Sequence, residues 1–169
     1  MHENSYKVMI DLLRRVAKPG FRALDIGSLD VNGSYRAMVE KFGVIYHGLD
    51  AAPGQNVDVV GSAYSLPYRT GDFDLVMSGQ VLEHLELPLV AVEEMKRVCR
   101  AGGWVLLVAP YSCPEHRFPV DCWRFLPDGL RFLLAGFESR DAGIVHPDCF
   151  GLGRKPERYQ PVWRVERAC

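Results

Sequence analysis

Short apolar runs alternate with segments of helical hydrophobic spacing along most of the chain. The apolar runs predict six strands, at residues 22–26, 44–49, 57–60, 73–78, 104–109 and 137–145. The run at 104–109 is almost continuously apolar, as expected of a strand covered on both faces. Strands that alternate with helices need crossover connections, which favours a mostly parallel sheet. The pattern therefore predicts an α/β fold, a doubly wound three-layer sandwich.

Helical periodicity marks several of the connecting segments. A flanking helix is expected within residues 1–20, and a second helix follows the capping residue Ser34. A third carries an apolar stripe from Val92 to Cys99, and a fourth begins at Pro127.

The last part of the chain shows less periodicity. Residues 146–160 are rich in glycine, proline and basic side chains, so we expect a surface loop there, and residues 162–167 could form a final strand. A chain of 169 residues has room for one folded domain, and we assign residues 1–169 to it.

Composition and charge remove several classes of function. Twenty basic and 21 acidic residues leave a net charge of −1, which does not predict a nucleic-acid partner. The longest strongly apolar stretch, at 104–109, is far too short for a membrane span. The five cysteines are odd in number and form no C-x-x-C pair, so reduced thiols and a cytoplasmic location are expected.

The loop after the first predicted strand is the expected ligand anchor of a doubly wound sheet. It contains Gly27, Asp30, Asn32 and Gly33, and its glycines allow a ligand to approach the backbone closely. Asp50 ends the second strand, where a carboxylate can accept hydrogen bonds from the two hydroxyls of a ribose. These features predict a cofactor that contains a nucleoside. The dinucleotide fingerprint G-x-G-x-x-G is absent, which makes NAD an unlikely cofactor.

Six short motifs follow one another between about residues 22 and 137. They read ALDIGS at 23–28, GLD at 48–50, SA-x-x-LP at 62–67, FDLV at 73–76, VLEHL at 81–85 and RAGG at 100–103. In order and spacing they resemble class I S-adenosylmethionine-dependent methyltransferases, in particular the small single-domain type 11 group.

The resemblance implies a Rossmann-like sandwich whose seven-stranded, mostly parallel sheet has the order 3-2-1-4-5-7-6 and an antiparallel last strand. It also implies S-adenosylmethionine as cofactor and S-adenosylhomocysteine as product. The positions that match cofactor-binding positions of the family are Asp25, Gly27, Asp50, Ala51, Ser62, Ala63, Gly79 and Gln80. Two departures stand out. Leu29 and Val31 occupy later glycine positions of the first loop, and Ser62 replaces the usual aspartate.

The segment after the fifth strand, residues 110–125, is dense in aromatic and titratable side chains and resembles the H-x-x-P-x-D-x-W-R segment of a subgroup of small methyltransferases. We expect His116, with Asp121, to act as a general base for an acceptor hydroxyl. Tyr111, Trp123 and Arg124 are candidate acceptor contacts. The alternative is that His116, Asp121 and Arg124 hold the loop in place by hydrogen bonds.

Two groups of residues raise the question of a metal. Glu83 and His84 resemble part of the E-x-x-E-H metal segment of ubiquinone-biosynthesis O-methyltransferases and ribose-methylating enzymes, but Gln80 stands at the first acid. The residues of the second group could form a zinc site if their loops met; they are Cys113, His116, His146 and Cys149. We expect no metal at either place.

The function predicted is methyl transfer from S-adenosylmethionine to an oxygen or nitrogen of a small molecule, such as a sugar or secondary metabolite. The predicted loop at 146–160 would overhang the acceptor, so Phe150, Arg154 and Arg158 could contact it. A second copy of the chain could complete the pocket and give a homodimer. The rival hypothesis is a protein that keeps the fold but serves as a non-catalytic binding or partner subunit.

Overall fold

The computed structural model describes residues 3–162. They form four helices, a short 3-10 turn and seven strands. The helices are α1 (Glu3–Val16), α2 (Arg36–Lys41), α3 (Pro88–Val98) and α4 (Pro127–Leu133), and the 3-10 turn is Leu82–His84. The strands are β1 (Arg22–Ile26), β2 (Ile45–Asp50), β3 (Val59–Val60), β4 (Phe73–Gly79), β5 (Cys99–Pro110), β6 (Ser139–Val145) and β7 (Asp148–Arg154).

All seven strands belong to one sheet in the order β3-β2-β1-β4-β5-β7-β6. Strands β1 to β5 run parallel to one another, and β7 is antiparallel to both β5 and β6. The predicted fold class, strand order and antiparallel last strand are therefore confirmed.

Alternation along the strands produces an apolar layer on each face of the sheet. In β1, Leu24 and Ile26 join the layer beneath α3 and α4, whereas Ala23 joins the layer beneath α1 and α2. The central strand β5 contributes to both layers, with Leu107 on one face and Leu106 on the other. This double coverage is the reason that β5 reads as an apolar run.

The prediction for residues 146–160 is wrong. This segment is not a surface loop, because it contains β7, which lies between β5 and β6. Gly151 and Gly153 lie so close to Leu134 that a Cβ atom on either glycine would come within 3.3 Å of Leu134 side-chain atoms. Buried glycines do not contribute to a hydrophobic pattern. The sequence pattern therefore did not predict β7, in which two glycines allow Leu134 to pack closely. The predicted strand at 162–167 lies almost wholly outside the described residues.

The strand ends position the candidate site. Four parallel strands end at one edge of the sheet, so the polar residues that follow them come together there. These strands are β1, β2, β4 and β5, and we call this border the carboxyl edge.

Within residues 3–162 the helices are too short and too polar to span a bilayer.

Candidate active site

Asp50 lies at the carboxyl edge, at the end of β2. Its Oδ2 atom accepts a hydrogen bond from the Leu29 backbone N–H, and its Oδ1 atom accepts one from the Ala52 N–H, both at 3.1 Å. A carboxylate oxygen has two lone pairs, so each oxygen retains the capacity to accept another donor. The adjacent Ala51 is exposed. Asp50 is thus a fixed, half-buried carboxylate that can accept two hydroxyl groups.

The loop between β1 and α2 is held in place by its own polar groups. Asp30 Oδ1 accepts a hydrogen bond from Gly33 N–H at 2.8 Å, and Asp30 Oδ2 accepts one from Asn56 Nδ2 at 3.2 Å. The Asp30 N–H donates to the Gln55 carbonyl at 3.2 Å. Asn32 is exposed within the same loop. Asp30 therefore shapes the predicted cofactor loop and fastens it to the loop after β2.

Two glycines allow close contact at the ends of β1 and β4. Gly27 has a φ of +83°, and a Cβ atom there would lie 2.0 Å from Val81 Cγ2. At Gly79 a Cβ atom would lie 2.3 Å from the Tyr35 hydroxyl. Neither position accepts a larger residue without rearrangement, so the turns after β1 and β4 meet through glycine. The space beside these glycines is occupied by the Val81 and Tyr35 side chains, so the two glycines bring the turns together at the carboxyl edge.

Asp25 is buried beneath the site, and its assignment as a cofactor contact is corrected. Its residue is only 2% exposed, and the Tyr46 hydroxyl donates to its Oδ2 atom at 2.5 Å. Burial raises the pKa of Asp25 to about 7, against the opposing effect of the Tyr46 hydrogen bond. The cause is strand alternation, which directs Asp25 to the same face of β1 as Ala23. Asp25 joins β1 to β2 beneath the site.

The segment after β3 contains the predicted adenine contacts. Ser62 is exposed, and its Oγ atom accepts a hydrogen bond from the Tyr64 N–H at 3.2 Å. Ala63 is partly buried and packs against the core layer beneath α3. Ser62 therefore organises its own turn, while its placement beside the carboxyl edge is compatible with the predicted role.

Gln80 connects the end of β4 to two elements that sequence reasoning did not implicate. It has a φ of +60°, and its Nε2 atom donates to Asp148 Oδ1 at 3.0 Å. Asp148 begins β7 and is 1% exposed, and its Oδ2 atom accepts a hydrogen bond from Asn4 of α1 at 2.7 Å. Asp148 lay in the predicted surface loop, so no sequence signal identified it. The first turn of α1 thus borders the site.

His116 and Asp121 are brought together after β5. Asp121 Oδ2 accepts a hydrogen bond from the His116 backbone N–H at 2.7 Å and lies 3.5 Å from His116 Nδ1. The Asp121 side chain is 1% exposed, and the Arg124 guanidinium holds the pKa of Asp121 far below its usual range. A carboxylate with such a low pKa is a weak base. Asp121 is therefore corrected from a catalytic to a positioning residue.

Arg124 is also corrected, because all five of its N–H donors are used within the loop. Its Nη1 and Nη2 atoms donate to the two carboxylate oxygens of Asp121 at 2.6 and 2.8 Å. The other three donors contact the carbonyl oxygens of Cys113, Pro114 and Trp123. No N–H group of Arg124 remains to bind the methyl acceptor. For Arg124 the structure therefore favours the alternative hypothesis, in which it holds the loop in place.

The two aromatic candidates differ in their surroundings. Tyr111 is partly buried at the end of β5 and packs against the core, and its N–H donates to the Pro147 carbonyl at 2.9 Å. Trp123 is 44% exposed, and its Nε1–H donates to the Leu85 carbonyl at 2.8 Å. Tyr111 is held at the carboxyl edge, whereas Trp123 fastens the loop from outside.

Glu83 is the most unusual group near the carboxyl edge. Its side chain is completely buried, and no described residue donates a hydrogen bond to either Oε atom. Its Oε1 atom lies 3.7 Å from His84 Nε2 and 3.7 Å from His116 Nε2. Burial is the main reason that the pKa of Glu83 rises to about 8. His116 therefore directs its Nε2 atom at Glu83, which does not support its predicted role as a free general base.

The predicted four-residue zinc set does not assemble. Cys149 is fully buried within β7, and His146 is exposed with its ring against Tyr111. Cys113 is the one member near His116, at 3.7 Å from its Nδ1 atom. Among residues 3–162 the one group of at least three ligand-type side chains that lie together is Glu83, His84 and His116.

The prediction that a loop carries three residues over the acceptor is corrected, because strand β7 takes the place of that loop. The three residues are Phe150, Arg154 and Arg158. Phe150 packs against Gly143 of β6, where a Cβ atom would lie 2.9 Å from its ring. Arg154 ends β7 at the opposite edge of the sheet, with its guanidinium over the Trp104 ring. Arg158 follows β7 and is exposed.

A cavity of about 350 Å³ also lies at that opposite edge, with Phe21, Trp104 and several arginines in its wall. The cavity does not alter the choice of site, because its arginines are already paired with acids. Arg15 contacts Asp141 at 2.7 Å, and Arg100 contacts Asp74 at 2.6 Å. Asp50 and Glu83, whose carboxyl oxygens have unused acceptor capacity, lie instead at the carboxyl edge.

Comparison with known proteins agrees with this placement. Residues 24–107 match a family model described as a methyltransferase domain. This segment contains most of β1, all of β2 to β4 and most of β5, and therefore most strand ends that form the site. The fold and the match define a class I methyltransferase-type protein. The chain belongs to the S-adenosylmethionine-dependent methyltransferase family that its motifs resemble.

Individual relatives match shorter parts of the chain. It is 38% identical over 68 residues to ajmaline N-methyltransferase of Rauvolfia serpentina, which covers 38% of this chain and 23% of the relative. It is 29% identical over 119 residues to 2-methyl-6-phytyl-1,4-hydroquinone methyltransferase of a Synechocystis species, which covers 62% of this chain and 37% of the relative. The chain spans less than half the length of the curated relatives that it matches.

Solved structures show the same fold. The 1,6-didemethyltoxoflavin-N1-methyltransferase of Burkholderia thailandensis, solved with its substrate and S-adenosylhomocysteine, has a TM-score of 0.75 at 16% identity. The match covers 91% of this chain and 79% of that chain. A chain of the complex between the Haloferax volcanii Trm112 methyltransferase activator and a methyltransferase has a TM-score of 0.73 at 17% identity. That match covers 94% of this chain and 92% of the other.

Proposed function

We propose that this protein binds S-adenosylmethionine at the carboxyl edge and transfers its methyl group to an oxygen or nitrogen of a small molecule. The observation that carries the proposal is the state of Asp50, whose two oxygens are fixed by backbone N–H groups and retain further acceptor capacity. A ribose has two neighbouring hydroxyls that match two such oxygens. Gly27 and Gly79 allow Val81 and Tyr35 to pack closely against the ends of β1 and β4, beside Asp50 at the same edge of the sheet.

The chemistry of the reaction places few demands on the protein. The cofactor, when bound, supplies a methyl group on a positively charged sulfur. The chain must hold the acceptor atom in line with that methyl group, and positioning of this kind accounts for much of the rate. Tyr111 and the Gln80–Asp148 pair lie at the carboxyl edge, where the acceptor would approach the bound cofactor. A neutral nitrogen acceptor needs no strong base, which is consistent with the position of His116, whose Nε2 atom faces Glu83.

Two further observations support a small acceptor. The ajmaline, phytyl-hydroquinone and toxoflavin enzymes are all named for small organic molecules. The chain also carries nearly balanced charge, with 20 basic and 21 acidic residues, and so offers no overall attraction for a polyanion.

The proposal is tested by calorimetric titration with S-adenosylmethionine and S-adenosylhomocysteine, with NAD as the control ligand. We expect micromolar affinity for both adenosyl ligands and none for NAD. Asp50→Ala is expected to cost about 1.5–3 kcal/mol of binding free energy, because a ribose hydroxyl pair loses its charged acceptor. Asp128→Ala is the matched control, since Asp128 is exposed on α4. A folded wild-type protein that binds neither adenosyl ligand would refute the proposal.

The rival function is that of a non-catalytic partner subunit. The structural neighbour from a Trm112 activator complex supports a protein partner for this fold, and the rival hypothesis adds to this that catalysis is lost. Methylation of a panel of small hydroxyl and amine acceptors separates the two hypotheses. An enzyme consumes labelled cofactor in the presence of one of them, whereas a partner subunit binds cofactor without turnover.

A further inference from the structure

The group formed by Glu83, His84 and His116 has a geometry that hydrogen bonding does not explain. Their nearest oxygen and nitrogen atoms all lie within 4.8 Å of one another. Glu83 Oε1 is 3.7 Å from each of the two Nε2 atoms, which exceeds the length of a hydrogen bond. The Glu83 side chain has no surface exposed to bulk solvent. Leaving a buried carboxylate without a partner is costly.

The orientation of both imidazole rings is fixed from their other nitrogen. His84 Nδ1 lies 2.6 Å from the Val120 carbonyl oxygen. His116 Nδ1 lies 3.2 Å from the Pro114 carbonyl oxygen and 3.5 Å from Asp121 Oδ2. Carbonyl and carboxylate oxygens only accept hydrogen bonds, so in each neutral ring the proton is expected on Nδ1. Both Nε2 lone pairs are then directed at the Glu83 carboxylate.

A carboxylate and two imidazole lone pairs that face a common point repel one another unless a proton or a metal cation lies between them. Three ligands placed about 2.1 Å from a tetrahedral metal ion are separated by about 3.4 Å. The two observed separations of 3.7 Å are close to that spacing. Histidine ligands of metals characteristically donate their other ring N–H to a carbonyl or carboxylate, as both rings do here.

We infer that Glu83 Oε1, His84 Nε2 and His116 Nε2 form a binding site for one divalent transition-metal ion of the zinc type. Two imidazoles and one carboxylate suit zinc and neighbouring transition metals, whereas Mg²⁺ prefers oxygen ligands. Three protein ligands leave at least one coordination position for water or another molecule. The sequence predicted no metal here because Gln80 replaces an acid, but His116, from a distant loop, supplies the third ligand instead.

The residues around the site support the same assignment. Asp121 holds the His116 backbone at 2.7 Å, and Arg124 fixes Asp121 through two hydrogen bonds. The segment that carries His116 also contacts the turn that carries Glu83, because the Cys122 N–H donates to the Glu83 carbonyl at 2.7 Å. The two ligand-bearing segments are therefore fixed to one another. The inference does not depend on methyl transfer, since it uses none of the groups assigned to the cofactor.

The test is metal binding by the full chain after removal of metals with a chelator. We expect calorimetry to show one Zn²⁺ bound per chain and no comparable binding of Mg²⁺. Glu83→Gln and His116→Asn should each weaken Zn²⁺ binding at least tenfold, because each removes one of three ligands. His47→Asn is the matched control. His47 lies on β2, packs against Phe73 of β4 and is not part of the Glu83, His84 and His116 group.

The Co²⁺ complex provides a second readout that identifies the donor atoms. Nitrogen and oxygen ligands should give visible bands without a thiolate charge-transfer band, and Cys113→Ser should leave the spectrum unchanged. Circular dichroism establishes that each variant is folded, and if one variant fails to fold the other decides. The inference is overturned if folded wild-type protein binds no Zn²⁺, if both ligand variants bind it as tightly as wild type, or if Cys113→Ser abolishes binding.

Discussion

Two regions at the same edge of the sheet satisfy their buried polar groups in opposite ways. In the cofactor loop, Asp30 and Asp50 accept hydrogen bonds from backbone or amide N–H groups of neighbouring segments. In the 3-10 turn after β4, Glu83 is completely buried and accepts no hydrogen bond from any described residue. The first region is complete without a ligand, and the second is not.

The contrast explains what each region can do. A loop that is fixed by its own hydrogen bonds presents a preorganised surface, so a neutral or positively charged cofactor can bind without ordering it first. A carboxylate that faces two imidazole lone pairs is stable when a cation is present or when the carboxyl group is protonated. The first arrangement is typical of a cofactor site, and the second is typical of a metal site. The predictions below alter one region at a time.

The largest effect is expected from Asp121, which supports the second region. Asp121→Asn removes the buried negative charge that pairs with Arg124. The substitution should lower the unfolding free energy by about 3 kcal/mol, measured by urea denaturation. Asp128→Asn is the matched control, because Asp128 and Arg131 form the same i,i+3 pair with the Asp128 side chain 95% exposed. The control should cost less than about 0.5 kcal/mol. Equal effects would show that the burial of Asp121 has no energetic importance.

Gly27→Ala alters the first region. The new methyl group would overlap Val81 Cγ2, and alanine would have to adopt a φ of +83°. We expect a loss of about 1–3 kcal/mol in stability and weaker binding of S-adenosylhomocysteine. Adding Val81→Ala should relieve the overlap but not the backbone strain, so the double variant should recover part of the loss. Full stability in the single variant would contradict the close approach of the two turns.

The pH dependence of stability should reveal Glu83 in metal-free protein. Its folded pKa of about 8 lies above the ordinary value of 4.5, so the folded state binds the proton more tightly than the unfolded state. The contribution of Glu83 to stability is therefore largest below pH 4.5 and is lost as the pH rises through about 8. Glu83→Gln should remove this contribution. Asp25, with a raised pKa of about 7, should leave a residual decline in the variant.

The smallest effect is expected at Trp123, which contacts the loop from outside. Trp123→Phe removes the hydrogen bond to the Leu85 carbonyl while keeping an aromatic ring, and should cost about 0.5–1 kcal/mol in urea denaturation. Zn²⁺ affinity should stay within twofold of wild type, because Trp123 is not a ligand. A large loss of affinity would instead assign Trp123 a role in positioning His84 or His116.

The sequence predicted much of the fold because strands β1 to β5 are marked by local apolar runs. The strand order came from the resemblance to a family, and the structure confirms it. Strand β7 escaped prediction because Gly151 and Gly153 have no side chain to show that they are buried. Its burial becomes visible only when Leu134 packs onto it.

The candidate site divides in the same way. Asp50 and Gly79 could be identified from their places after predicted strands, since chain order alone brings strand ends together. The environments of Asp25 and Glu83 could not, because each depends on residues distant in sequence. Tyr46 and the strand alternation bury Asp25, and the loop that carries His116 completes the group around Glu83. Local sequence shows that a residue can ionise, but not what it faces.

Hydrogen exchange of the full chain with S-adenosylhomocysteine or Zn²⁺ tests the two-region account most directly. S-adenosylhomocysteine should slow exchange in residues 27–33 and 50–54, and Zn²⁺ should slow it in residues 82–84 and 113–122. Neither ligand should change the rate of hydrogen exchange in the residues around the cavity at Trp104. Protection by S-adenosylhomocysteine around that cavity, or the same protected residues for both ligands, would contradict the account.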